Sequence, residues 1–418
     1  MDSAIDIHSY DSRYEQTKKQ LSDSSISEKN KLLIIQFEKI CTLEGLTKAR
    51  RIKLINTLLN FTRQYLPKDF DKATKKDIQD AILKIENRKD YSPWTKQSYR
   101  AIVKKFYKWL EFGDDYRNRK EYPEIVSWIS TTLKGKDKPK VKASDILTEE
   151  EIEKLIDVAE HPRDKAFISM IYELGARISE IGNLRIKDVT KDEYSYLVDL
   201  KGKTGTRTSR IILSSPYIVG WLNTHPLKEN PDAPLWVMIG KRKKAEQMAY
   251  GALRALINRL AEKAGIKKRI YPHLFRHTRV THLLLNKKIN EAQAKIYFGW
   301  VPSSKMLGDY SHLVSMEVND VMLEVYGIKT SKEKETKLHP IQCPLCKTIN
   351  PKGAKYCQKC GNILDIKTAF ELQEKRKRIT RAGNVLNYII QHKEYRKELE
   401  KLLDKVGKKF KEGTQTLS

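Results

Sequence analysis

Apolar positions recur every three or four residues from about residue 28 to 131, the spacing of helices with one buried face. Ile52, Ile55, Leu58 and Leu59 share one such face, and Ile78, Ile82 and Ile85 share another. Ser92-Pro93 reads as an N-cap followed by proline at the first helical position. The helix it opens carries Tyr99, Ile102, Val103, Phe106, Trp109 and Leu110 at helical spacing. This pattern predicts a small helical bundle over 28–132, with its aromatic residues in the core. Residues 1–27 are polar and aperiodic, and read as a flexible tail.

Periodicity stops at Lys134-Gly-Lys-Asp-Lys-Pro-Lys-Val-Lys142. Lysines broken by Gly and Pro cannot pack, so 133–145 reads as a basic linker, either a groove-following arm or a soluble hinge. A second domain, 146–330, opens at Thr148 and Glu151, which form a capping box. A helical pattern runs to about Val189. Residues 194–200 and 209–213 then flank a Gly-containing turn and predict a β-hairpin, after which helical spacing resumes to about 327. Residues 340–364 hold a compact cysteine segment, and 366–418 a basic helical tail. The expected fold class is mainly α (α+β).

Charge narrows the function. The 418 residues carry 81 Lys and Arg against 53 Asp and Glu, a net charge of +28. Such a field attracts a polyanion, with nucleic acid first among them; the alternative is a merely lysine-rich, solvated surface. No run approaches the roughly 18 apolar residues of a membrane span, and the N-terminus lacks the basic and apolar regions of a secretory signal. Four of the five cysteines fall within residues 343–360, which is metal-site spacing and suits a reducing cytoplasm. Cys41 reads as a small buried apolar residue.

Five short motifs then occur in a particular order. Tyr172-Glu-Leu-Gly-Ala-Arg-Ile-Ser-Glu-Ile-Gly-Asn-Leu-Arg185 comes first, and Lys203-Thr-Gly lies at the hairpin turn. His273-Leu-Phe-Arg-His277 follows, then Gly299-Trp300, and finally Tyr310-Ser-His312. In this order the segment 148–326 resembles the catalytic domain of the tyrosine recombinases (integrases), and the helical bundle resembles their core-binding domain in position and size. The resemblance implies a site-specific DNA recombinase that cleaves and rejoins DNA through a 3′-phosphotyrosine bond. It implies catalytic roles for Arg177, Lys203, His273, Arg276, Trp300 and Tyr310, with Lys201 as the alternative to Lys203. His277 and His312 are expected to support the others.

These residue types make chemical sense together. Two guanidiniums can clamp the non-bridging oxygens of a phosphodiester without a metal. A tyrosine nucleophile stores the bond energy, so ligation needs no ATP. A lysine can protonate the leaving 5′-hydroxyl, a histidine can exchange protons near neutrality, and the Trp300 indole offers one N–H. The chain departs from the family pattern in Gly-Ala-Arg for the commoner Gly-Leu-Arg, in Trp for His at 300, and in a ten-residue step from Trp300 to Tyr310. None of these removes a reacting group. The resemblance further implies a tetramer on two duplexes, used for integration or excision or for multimer resolution. Two other readings stay open, a type IB topoisomerase-like enzyme and a non-catalytic zinc-ribbon regulator. Lysine richness and the added cysteine segment resemble archaeal integrases.

Cys343-Pro-Leu-Cys346 and Cys357-Gln-Lys-Cys360 are two knuckles with the spacing of a four-cysteine zinc ribbon. Four protein ligands close the site, so the expected zinc is structural. Residues 366–418 carry 14 Lys and Arg against 7 Asp and Glu, and Leu386, Ile389, Ile390, Leu399, Leu402 and Leu403 recur at helical spacing. That tail is expected either to contact DNA or a partner protomer, or to pack on its own domain. Val318, Val321, Met322 and Val325 suit packing on a neighbouring protomer.

Overall fold

The computed structural model describes residues 6–133, 142–202, 205–240, 245–285, 289–304 and 338–404, apart from 393, 396, 400 and 403. Within them the chain is mainly helical with two small sheets. Six helices build the N-terminal part: α1 (Tyr10–Ser22), α2 (Glu28–Leu43), α3 (Lys48–Gln64), α4 (Lys75–Glu86), α5 (Pro93–Phe112) and the single turn α6 (Glu124–Ser127). The Ser92 side chain accepts from the Thr95 amide and Pro93 begins α5, so local chemistry fixes where the longest of these helices starts. Its inward positions Tyr99, Ile102, Val103, Phe106 and Trp109 join Phe37, Leu58, Phe61, Phe70 and Ile82 in one core. Cys41 lies in that core, wholly buried.

A separate core forms beyond the linker. Thr148 caps α7 (Glu149–Asp157) through its reciprocal bonds with Glu151. Helices α8 (Pro162–Leu174) and α9 (Ile178–Gly182) follow, then strands β1 (Val189–Lys191), β2 (Tyr196–Gly202) and β3 (Gly205–Ile211). The three strands form one antiparallel sheet in the order β1-β2-β3, with Gly202 opposite Gly205. The two strands therefore run further into the expected turn segment than the hydrophobic pattern alone suggests. Helices α10 (Ser215–Thr224), α11 (Tyr250–Lys263), α12 (Pro272–Leu285) and α13 (Glu291–Tyr297) complete the domain. Its core centres on Phe167, Tyr172, Trp221, Trp236, Leu253 and Phe275.

Glu173 ties the hairpin to this core. Its buried carboxylate accepts from the backbone amides of Ile212, Leu213 and Ser214 and from the Ser214 hydroxyl. One side chain thus satisfies the donors of the turn that follows β3, which burial would otherwise leave unpaired.

A small ribbon of β4 (Ile341–Gln342) and β5 (Ile349–Asn350) docks on the second domain, and α14 (Ile366–Gln391) leaves it. Leu338, just ahead of β4, is buried in the core of the second domain, β5 lies against α10, and Lys352 pairs with Glu153 at 2.8 Å. Of the apolar tail positions, Leu386, Ile390 and Leu402 are exposed and Ile389 is half-buried. Val318, Val321, Met322 and Val325 lie outside the described residues, as does most of the basic linker.

The expected flexible tail at 1–27 is corrected over its described part. Residues 10–22 are helical and pack on α3, and Ile7 is buried in the core of the second domain. The Ile7 amide donates to the Asn183 side chain at 2.9 Å, and the Ile7 carbonyl accepts from the Tyr250 amide at 2.8 Å. A Cβ on Gly182 would lie 2.7 Å from the Ile7 side chain, so only glycine leaves room for it. The segment therefore straps the bundle to the second domain. Sequence periodicity misses it because a single buried isoleucine and two backbone bonds hold it. Replacing Ile7 with Asp puts an unpaired charge in this slot. In that variant the Tyr250 amide is expected to exchange about tenfold faster or more, with amides of the bundle core unchanged. Equal protection of Tyr250 in both proteins would show that the strap does not depend on this contact.

Candidate active site

Arg177 sits at the start of α9, where a short loop from α8 turns the chain. Its side chain is one-third exposed and points a guanidinium nitrogen at the Glu180 carboxylate, 2.7 Å away. Glu180 itself is almost fully buried. Its second oxygen accepts from the Arg177 amide at 3.0 Å and from the guanidinium of Arg207 at 2.8 Å. Burial pushes the Glu180 carboxyl up, but the bonds and charge of Arg207 and then of Arg177 outweigh it, holding the pKa below the ordinary value. The carboxylate therefore stays charged and fixes both cations.

Arg276 lies on α12 and is 1% exposed. It donates to the Gly175 carbonyl at 3.0 Å and to the Phe298 carbonyl at 2.8 Å. Its guanidinium also faces the rings of Trp300 and Phe298, with centroid distances of 5.4 and 5.5 Å. Trp300 is buried in a small cluster with Val280, Ala294 and Phe298. Trp300 thus buttresses the guanidinium with its ring face.

His273 is one helical turn before His277, and their rings meet edge to face at 4.7 Å. Crowding by protein, then the positive charges of His277, Arg276 and Arg177, lower the His273 pKa to about 4. The residue remains open to solvent on one side, so the neighbouring cations are the firmer of these causes. An imidazole placed there is neutral at pH 7. Arg177, Arg276 and His277 thus lie near enough to His273 to act on its charge. Burial lowers the His277 pKa as well, with Arg276 as the second cause.

Lys203, Tyr310 and His312 lie outside the described residues. Lys201, the alternative to Lys203, directs its ammonium to Asp188 at 3.2 Å, so that cation is already engaged. Arg177, His273, Arg276 and Trp300 are brought to one region.

Arg207 was absent from the sequence reading. It projects from β3, with a side chain 12% exposed, and bridges Glu180 to the Tyr297 carbonyl at 3.0 Å. A Cβ on Gly299, which has φ +62°, would come within 2.8 Å of its guanidinium. With Gly205, Lys295 and Trp300 it lines a small cavity of about 240 Å³. The hairpin, α9 and the segment leading to Trp300 therefore meet at one guanidinium. A signal existed, since β3 alternates and Arg207 falls on its inward side opposite Leu200, but its partner is 27 residues away.

The four cysteines form a separate cluster in which all sulfurs lie within 4.8 Å of one another, compatible with a metal site. Cys343 and Cys360 sulfurs are 3.7 Å apart and those of Cys346 and Cys357 are 3.5 Å apart. Asn350 and Asn362 amides approach the Cys357 and Cys343 sulfurs at 3.7 and 3.9 Å.

Replacing Arg207 with Gln leaves the Glu180 charge half-compensated and is expected to cost about 3 kcal/mol of stability. Adding Glu180→Gln removes the orphaned charge, so the double variant is expected to be more stable than the sum of the singles by about 1 kcal/mol or more. Urea unfolding of the four proteins measures this, and strictly additive losses would contradict the bridge.

The phage integrase family matches residues 145–317. Tyrosine recombinase XerA of Pyrococcus horikoshii is 26% identical over 257 residues, covering 61% of this chain and 80% of that protein. XerA of Pyrococcus furiosus is 29% identical over 140 residues, covering 33% of this chain and 47% of its own length. XerC of Xanthomonas campestris pv. campestris is 27% identical over 207 residues, covering 49% of this chain and 59% of its own length. The chain thus spans four fifths of the first relative and about half to three fifths of the other two. Among solved structures, XerH site-specific recombinase bound to palindromic difH substrate has a TM-score of 0.51 at 18% identity, covering 75% of this chain and 95% of that one. A lambda integrase dimer bound to a COC′ core site has a TM-score of 0.50 at 14% identity, covering 71% and 80%. Both share the fold. With the motif order and the arginine pair, these comparisons identify residues 145–317 as a phage integrase domain, in a chain that is similar to the tyrosine recombinases.

Proposed function

We propose that this chain is a site-specific DNA recombinase that uses Tyr310 as nucleophile and Arg177 and Arg276 to hold the scissile phosphate. The observation that carries this reading is the gathering of two guanidiniums and a neutral imidazole in one region, with a buried carboxylate fixing one of the cations. Such donors stabilise the charge that develops on non-bridging oxygens, and they act without reorganising. The Tyr310 oxygen forms a bond to phosphorus as the bond to the 5′ oxygen breaks. Lys203 gives that departing oxygen a proton, and the phenol proton passes to His273 or to water. A DNA phosphate beside His273 adds negative charge and draws its pKa back up, which favours that transfer. The reverse attack by a 5′-hydroxyl rejoins the strand, so no energy source is consumed.

Double-stranded recombination sites are the substrate, and each protomer grips DNA between its bundle and its catalytic domain, four protomers to two duplexes. Integration, excision and multimer resolution share this chemistry. Among the described residues no helix is long and apolar enough to cross a membrane, and a cytoplasmic setting fits work on DNA by a protein with unpaired thiols.

Two predictions test these assignments. On a nicked suicide substrate the wild type is expected to form a covalent DNA adduct and Tyr310→Phe none, with DNA binding retained. Arg177→Ala is expected to slow adduct formation by roughly 10²- to 10³-fold. If the wild type forms no adduct on any substrate, the chain is a non-catalytic DNA binder.

The cysteine cluster is assigned to structural zinc. Tetrahedral ligation at about 2.3 Å sets sulfurs about 3.8 Å apart, close to the 3.5 and 3.7 Å separations here and far from a disulfide. Elemental analysis is expected to find one zinc per chain, lost in a Cys343→Ser, Cys357→Ser variant. A full set of freely titrating thiols in the wild type would exclude it.

A further inference from the structure

Helix α14 carries the densest run of positive charge on the described surface. Lys375, Arg376, Lys377, Arg378 and Arg381 fall within seven residues. From 371 to 390 every residue is exposed except Leu372 and Ile389, which are half-buried. Lys377 pairs with Glu374 at 3.2 Å. The other four cations have no carboxylate partner among the described residues. By contrast, Lys31, Arg51, Lys68, Arg88 and Arg163 each pair with a carboxylate within 3.0 Å.

Unpaired like charges three and four residues apart repel along a helix. Lys375 faces Arg378, and Arg381 faces both Lys377 and Arg378, so the folded helix concentrates its own repulsion. A polyanion relieves it. We propose that α14 is a second DNA-binding surface, holding duplex DNA through phosphate contacts from Lys375, Arg376, Arg378 and Arg381. This inference rests on the recombinase reading for its polyanion.

Geometry favours a duplex groove over a flat contact. Successive helical residues step by about 100°, so Arg376, Lys377 and Arg378 point in three directions around the axis. One flat surface could meet only one of these. The major groove is about 12 Å wide with a phosphate ridge on either side, and a helix lying in it meets phosphate on both flanks. The helix is also held rather than trailing. Asp365 caps it through the Thr368 amide and hydroxyl, Thr368 is buried, and the ribbon before it is anchored by Leu338 and the Lys352–Glu153 pair. A surface held in this way loses less freedom on binding than a loose arm.

The test is the salt dependence of binding by the full-length protein to a fluorescent duplex of arbitrary sequence. Arg376, Arg378 and Arg381 are changed together to Gln, which keeps helix propensity at exposed positions. Three lost phosphate contacts are expected to flatten the slope of log K against log salt by roughly 2 to 3, and to weaken binding on the order of 10²-fold at about 0.1 M salt. The matching triple Lys variant keeps the charge and is expected to keep the slope. Equal slopes for wild type and the Gln variant overturn the proposal. So does an unchanged slope accompanied by a change in oligomeric state, which would assign the exposed Ile379, Leu386 and Ile390 to pairing with a second copy. Adduct formation on the suicide substrate is read separately: its absence in the wild type sinks the recombinase chemistry, whereas the salt slope reports on α14 alone.

Discussion

The active region depends on one buried carboxylate shared between two guanidiniums. Glu180 holds Arg177 through its first oxygen and Arg207 through its second, while accepting from the Arg177 amide as well. A lone carboxylate buried this deeply would favour its neutral form; two cations keep it charged, and it in turn keeps them in place. Space around it is equally constrained. A Cβ on Gly202, at the end of β2, would collide with the same carboxylate, so the Glu180 side chain lies directly against the hairpin backbone. The position of the hairpin follows from this contact.

Positive charge is arranged in graded depth around that point. Arg276 is sunk below the surface, with backbone carbonyls and aromatic faces as its partners, and Arg177 stays partly open. His273 stands at the rim and is kept neutral by crowding and by these cations. A phosphate entering this field meets fixed donors and supplies the missing negative charge. The region thus presents fixed donors suited to an anion, and such fixed donors are where electrostatic catalysis draws its strength.

The peripheral segments turn two cores and a ribbon into one body. The strap at residues 6–9 threads Ile7 into the second domain while α1 packs on the bundle. At the other end Leu338 returns to the same core before the ribbon begins. Each attachment is small, one apolar side chain with a few backbone or ionic contacts. Small attachments can open without unfolding a core.

The sequence by itself determined the helical bundle, the order of the five motifs, the cysteine spacing and the charge that selects a polyanion. Each of these is local: a face repeats every three or four residues, a cap acts over three, and two knuckles need only fixed spacing. The expected site residues Arg177, His273, Arg276 and Trp300 were legible as well, because their motifs are short and contiguous. Tertiary structure alone decided the rest. Arg207 has no local motif, and its role exists only because β3 lies against α9 and the Tyr297–Gly299 turn. Ile7 stands in a polar segment, and its burial depends on a slot left by Gly182, about 175 residues away. The Glu173 clasp on the turn after β3 likewise spans some 40 residues. Periodicity and propensity act over a few residues, whereas these contacts are made only when the chain has folded back on itself.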